Sequence, residues 1–163
     1  FIMTINHRSR TAILRGAKIV ITEVGSYESN MHDIAARAEV SRATVYNHFS
    51  DKEEMMLSLL ESEILRLTAL AKSATSRQAA LYLLSTEISS DPALRRMVVT
   101  DPLDIAKFVT VSDNPLWFLI NSSLVELFGD SSGLLLHWLI GQVASPLTQA
   151  DSALQAEKLA RTL

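Results

Sequence analysis

Apolar residues recur along this chain at intervals of three and four, and the few Gly and Pro residues sit at boundaries, so the pattern predicts an all-α protein. From Arg8 to Val24 the positions Ile13, Leu14, Ala17, Val20, Ile21 and Val24 share one face, and Gly25 follows as a stop. Asn30 caps a short predicted helix through Ala38 that buries Ile34, Ala35 and Ala38. Ser41 caps another from Arg42 to Phe49, with only Glu39 and Val40 between the two. Ser50 and Glu53 have the S-x-x-E spacing of a capping box, which predicts a long helix reaching about Lys72. Its buried side carries Met55, Met56, Leu59, Leu60, Ile64, Leu67 and Leu70.

The second half is punctuated by one device: Asp91-Pro92, Asp101-Pro102 and Asn114-Pro115. A short polar cap followed by proline starts a helix well, because the N–H that proline lacks would have no intrahelical partner there. Helices are therefore predicted to start at all three. The third runs to Phe128 with Gly129 as its stop, another spans about Ser132 to Ala144, and a last one spans about Ala150 to Leu163. KSATSR, residues 72–77, is the only linker-like stretch.

Composition narrows the class. With 163 residues, 48% of them hydrophobic and 20% charged, the chain suits a folded unit with a real core, and no apolar run is long enough to span a membrane. There is no cysteine, which removes disulfides, thiolate metal sites and thiol catalysis and makes a reducing, cytoplasmic setting the expectation. FIMTINHRSR lacks the order of a secretion signal, and Met3 is a candidate start with Phe1 and Ile2 as cloning remnants. The net charge of -3 is uneven: residues 1–52 hold seven Lys/Arg against five Asp/Glu, and the remainder eight against thirteen. The N-terminal part is the one suited to an anionic partner.

Two short helices joined by a tight turn describe a helix-turn-helix. Val45 and Phe49 lie four apart and dock inward, so the opposite face shows Arg42, Ala43, Tyr46 and Asn47, flanked by Thr44 and His48. Hydroxyl, imidazole and ammonium groups suit phosphates, while Asn and Arg suit base edges. By themselves Tyr46 and His48 read as the edges of an amphipathic helix, and Lys52 as a surface lysine; the ensemble gives them a DNA-facing role.

The run DIAARAEVSRATVYNHFSDKEEMM, with the preceding RTAILRGAKIVITEVGSYESN, resembles the DNA-binding domain of the TetR family of bacterial transcriptional regulators over about residues 10–60. The resemblance implies that Thr44, Tyr46, His48 and Lys52 contact phosphates, that Arg42, Ala43 and Asn47 face base edges, and that His32 touches the flanking backbone or a base. Tyr46 fits either role. Glu39 stands where the family usually has Gly, so the turn is expected to be altered, or Glu39 strained by roughly 1 kcal/mol in a left-handed conformation.

On this reading residues 8–52 form the DNA-binding domain and 53–163 a helical effector-binding and dimerisation domain. SSDPALRRMVVTDP and the tail from Leu134 loosely resemble the family's second domain. Met97, Phe108, Trp117, Phe118, His137 and Trp138 are candidates to line an apolar effector pocket, although each also reads as an ordinary core residue. The resemblance implies that the last two helices pair with their copies, and Leu134, Leu135, Trp138, Leu139, Leu154 and Leu159 are the candidate dimer contacts. A dimer would place two recognition helices about 34 to 36 Å apart on an inverted-repeat operator. The brief connections near 72–77 and 129–133 make the chain short for the family, which raises the question of absent segments.

Catalysis is not expected. There is no Gly-rich phosphate loop, H-E-x-x-H or G-x-S-x-G, the histidines at 7, 32, 48 and 137 are scattered, and no metal or cofactor motif occurs. The sequence thus predicts a homodimeric TetR-like regulator, most readily a repressor, released from double-stranded DNA by a small apolar effector. The alternative is a helical protein-interaction module without sequence-specific DNA binding.

Overall fold

The computed structural model describes residues 2–110 and 113–162, with side chains described from residue 6 onward. Among these residues all regular structure is helical. Helix α1 (Ile2–Glu28) extends beyond the predicted Arg8–Val24 at both ends, but its backbone breaks at Gly25, where φ is 88° and ψ is 175°. Gly25 is required twice over. The positive φ disfavours a side chain, and a Cβ there would lie 2.3 Å from Thr100 Oγ1 and 2.4 Å from Asp101 Oδ2.

Helices α2 (Met31–Arg37) and α3 (Arg42–His48) stand where the caps predict them: Asn30 accepts from the Asp33 N–H and Ser41 from the Thr44 N–H. Between them Glu39 has φ 55°, the one positive value among the described non-glycine residues, as the strain argument expected. The turn is a Schellman motif. The Val40 N–H donates to Ala35 O at 3.1 Å and the Glu39 N–H to Ala36 O at 3.2 Å, a pairing that holds residue 39 left-handed.

Helix α4 (Lys52–Lys72) starts one residue later than the predicted capping box. Asp51, not Ser50, is the cap: it accepts from the Glu54 N–H at 2.8 Å, while Glu54 Oε2 accepts from the Ser50 N–H at 2.7 Å. The shifted frame puts Lys52 on the first turn, from which it reaches back to α1 (below).

Helix α5 (Arg77–Ser90) was not assigned from the sequence. Helices α6 (Pro92–Thr100), α7 (Pro102–Val109) and α8 (Pro115–Phe128) begin at the three predicted prolines. A 3-10 turn (Gly129–Ser131) leads into α9 (Ser132–Ala144), and α10 (Gln149–Thr162) closes the chain. Phe1 and the predicted helix end Leu163 lie outside the described residues.

Two apolar cores result. The first joins α1, α2, α3 and the start of α4 through Ile13, Ile21, Ile34, Val45, Phe49 and Met55, and takes in Ala93 and Met97 from α6. The second joins the end of α4 to α5, α8, α9 and α10 around Leu81, Leu124, Phe128 and Leu135. The first core therefore crosses the boundary expected at residue 52. A buried polar cluster pins the second: Ser85 Oγ donates to Gln142 Oε1 at 2.7 Å and is paired with Ser152 Oγ at 2.8 Å, and Ser89 Oγ donates to Gln142 Oε1 at 3.0 Å.

Candidate nucleic-acid interface and central cavity

Helix α3 is held by its inner face. Val45 and Phe49 are fully buried, and the Arg10 guanidinium stacks 5.4 Å over the Phe49 ring. Its outer face presents Arg42, Ala43, Tyr46 and Asn47 to solvent, with Thr44 and His48 half-buried at the flanks. His32 is exposed in the first turn of α2. Six of the eight predicted DNA-facing residues thus lie along α3, and His32 is exposed on the neighbouring α2. The Thr44 hydroxyl shares a 2.8 Å hydrogen bond with Ser41, which fixes its rotamer at the start of α3.

Lys52 is placed differently. Its ammonium donates to three backbone carbonyls, Ser26 at 2.7 Å, Tyr27 at 3.0 Å and Ser29 at 2.8 Å, so its N–H donors point back into the α1–α2 connection. The same segment is gripped from the other side. Asp101 is buried, and its carboxylate accepts from the Ser26 N–H at 2.9 Å and the Tyr27 N–H at 3.0 Å, while Ser26 Oγ donates to Asp104. Burial works against the Asp101 charge, but hydrogen bonds from Thr100, Tyr27 and Ser26, with Lys52 nearby, hold its carboxyl below the ordinary value. Asp101 occupies the cap position of α7 without capping it. The α1–α2 connection is thereby tied both to α4 and to the α6–α7 corner.

Between the two cores lies a cavity of about 560 Å³, inside the range of roughly 300 to 1,000 Å³ usual for small-molecule sites. Of the residues named for an effector pocket, Met97, Phe108 and Trp117 line this cavity. Phe118, His137 and Trp138 do not. Phe118 is 79% exposed, because adjacent helical residues are about 100° apart and Trp117 takes the inward position. His137 is exposed, with Nδ1 2.7 Å from Gly133 O, and Trp138 donates to Gln155 at 2.7 Å. The wall that the sequence did not single out is the α4 face of Met56, Leu60, Ile64 and Leu67. The signal was present in the unusually broad apolar side of that helix, which serves the core with one edge and the cavity with the other.

Residues 13–59, which hold nearly all of the first core and the whole helix-turn-helix, match the family model described as bacterial regulatory proteins, tetR family. Residues 13–59 therefore carry a TetR-type DNA-binding domain. No curated protein matches the chain's sequence. Among solved structures it is similar to the TetR family repressor AlkX from Dietzia sp. strain DQ12-45-1b, implicated in biodegradation of n-alkanes, at 16% identity and TM-score 0.63, over 94% of each chain. It is also similar to the fatty acid degradation regulator FadR from Bacillus halodurans, at 17% identity and TM-score 0.64, over 93% of this chain and 94% of that one. A transcriptional regulator (TerR/AcrR family) from Aquifex aeolicus VF5 aligns at 16% identity and TM-score 0.56, over 95% and 99%. At such identities the likeness concerns the fold.

In this chain the candidate dimer contacts divide. Leu134 and Leu154 are exposed at 55% and 49%, whereas Leu135 and Leu139 are buried in the chain's own second core. Trp138 and Leu159 pack half-buried against that core. Leu135 and Leu139 are therefore corrected from interface to core: on a short helix with apolar residues all round, the sequence does not say which side meets the chain itself. No helix among the described residues is long and apolar enough to cross a membrane.

Proposed function

We propose that this TetR-family protein is a homodimeric repressor that binds an inverted-repeat operator and is released from it by a small apolar effector held in the central cavity. The observation that carries the reading is the pairing of a locked, polar-faced α3 with a large apolar cavity that borders the α1–α2 connection. Arg42, Ala43 and Asn47 are the residues for base edges, Thr44, Tyr46 and His48 for phosphates, and His32 for the flanking backbone. Lys52 changes role: with its ammonium spent on three carbonyls, it anchors the segment that carries α2 rather than holding a phosphate.

The second copy is assigned to the outer faces of α9 and α10, where Leu134 and Leu154 stand exposed. Two similar structures are regulators named for n-alkane biodegradation and fatty acid degradation, which supports an effector with a long hydrocarbon part. A ligand can shift the dimer between DNA-competent and released arrangements only by as much as it prefers one of them. Residues such as Met97 and Ile105 border both the cavity and the α6–α7 corner that grips α1.

The test is fluorescence anisotropy of the protein on duplex DNA from upstream of its own gene, across several salt concentrations, with an unrelated duplex as control. Selective binding that weakens steeply with salt is expected. Tyr46→Ala, at an exposed position, should weaken binding about tenfold without changing the unfolding midpoint. Equal weak binding to both duplexes would favour the interaction-module reading instead.

A further inference from the structure

The cavity wall carries one ionic chain. Where α1, α4, α5 and the α5–α6 corner meet, Asp91, Lys18, Glu63, Arg66 and Glu87 alternate in sign, and all five border the cavity. Lys18 Nζ lies 2.7 Å from Asp91 and 2.8 Å from Glu63. Arg66 lies 3.0 Å from Glu63 and 2.7 Å from Glu87. Three acids thus share two cations, and each cation is held between two carboxylates.

The spare bonding capacity favours one kind of head group. Glu63 receives both cations on Oε2 and Glu87 receives Arg66 on Oε2, which leaves the Oε1 atom of each without a hydrogen-bond donor among the described residues. The other bordering lysines offer an anion little: Lys52 is committed to carbonyls, and Lys107 is exposed beside Asp104 at 3.7 Å. Burial works against the charge on Lys18, but Asp91 and Glu63 outweigh it and hold the ammonium above its ordinary pKa, so this cation stays charged and occupied. An entering carboxylate would lose water and meet a net negative chain. An ammonium would meet free carboxylate oxygens.

We propose that the cavity selects an elongated alkylamine in its ammonium form, with the head against Glu63 and Glu87 and the chain along the apolar α4 wall. This rests on the effector reading above and names the ligand class it leaves open. It sets the protein apart from a receptor for free fatty acids.

The experiment titrates the full-length protein with decylammonium, decanol and decanoate below their micelle concentrations, by calorimetry at neutral pH. Each probe is also scored for release of bound DNA. Decylammonium is expected to bind at least tenfold tighter than decanoate and to release DNA at lower concentration. Glu63→Gln removes the negative charge that Lys18 and Arg66 share and should shift the preference toward decanoate. Glu87→Gln, at the more exposed end of the chain, is the second variant should Glu63→Gln fail to fold, and should erode the preference in the same direction. Decanoate binding as tightly as decylammonium, or all three probes binding equally, would overturn the ammonium assignment and leave the effector cavity standing. Binding of none of them by a protein that still binds DNA would overturn the effector reading and this inference with it.

Discussion

At the scale of single residues, Glu39 and Lys52 show what holds the α2–α3 turn and the α1–α2 connection of the DNA-binding domain. Glu39 is left-handed because the Schellman pairing around it demands that conformation, yet its Cβ makes the conformation costly. Glu39→Gly should therefore raise stability by up to about 1 kcal/mol, part of the relief being returned as glycine's greater unfolded-state freedom. A higher urea midpoint at unchanged slope is the expected result, and an unchanged or lower midpoint would show that the turn carries no strain. Lys52→Met keeps the aliphatic stem but strips three carbonyls of their donor, at a cost of roughly 1.5 to 3 kcal/mol. If the variant instead kept its unfolding midpoint and lost only DNA affinity, the ammonium would be a phosphate ligand after all.

At the scale of elements, legibility followed the range of the chemistry. Asp91 and Asn114 announced helix starts because a cap and a proline act within one turn, while at Asp101 the proline alone marks the start, and α6, α8 and α7 begin there. Helix α5 went unassigned because its buried face includes Ser85 and Ser89, polar residues that are inside only because Gln142 and Ser152 arrive from α9 and α10 to bond them. What Asp101 does was hidden for the same reason: its cap position is local, but its partners are Ser26 and Tyr27 at the end of α1. Asp101→Asn cannot serve both N–H groups with carboxylate oxygens and should cost about 1 to 3 kcal/mol. Because the folded carboxyl is held below its ordinary value of 3.8, its contribution is complete above that pH and fades as pH falls through the lower folded value. Unfolding curves across pH should show a constant gap between wild type and Asp101→Asn above pH 4, closing only in stronger acid. A gap that closes nearer neutral pH would mean the carboxylate is not held as described.

At the scale of the whole molecule, the proposed repressor needs two copies, because one α3 can read only half of an inverted repeat and the halves lie about 34 to 36 Å apart. Burying Leu135 and Leu139 in the chain's own core leaves Leu134 and Leu154 as the apolar side chains that α9 and α10 still expose. Leu134 and Leu154 are about half exposed and belong to neither apolar core, so charging both perturbs association more than folding. Leu134→Asp with Leu154→Asp should keep the helical signal and unfolding slope of each chain while sedimenting as a monomer. Its affinity for the full operator should fall at least a hundredfold, as the gain from linking two half-site contacts is lost, with half-site binding unchanged. A double variant that remains a dimer would move the interface elsewhere, and the exposed Phe118 and Val125 of α8 would be the next face to charge.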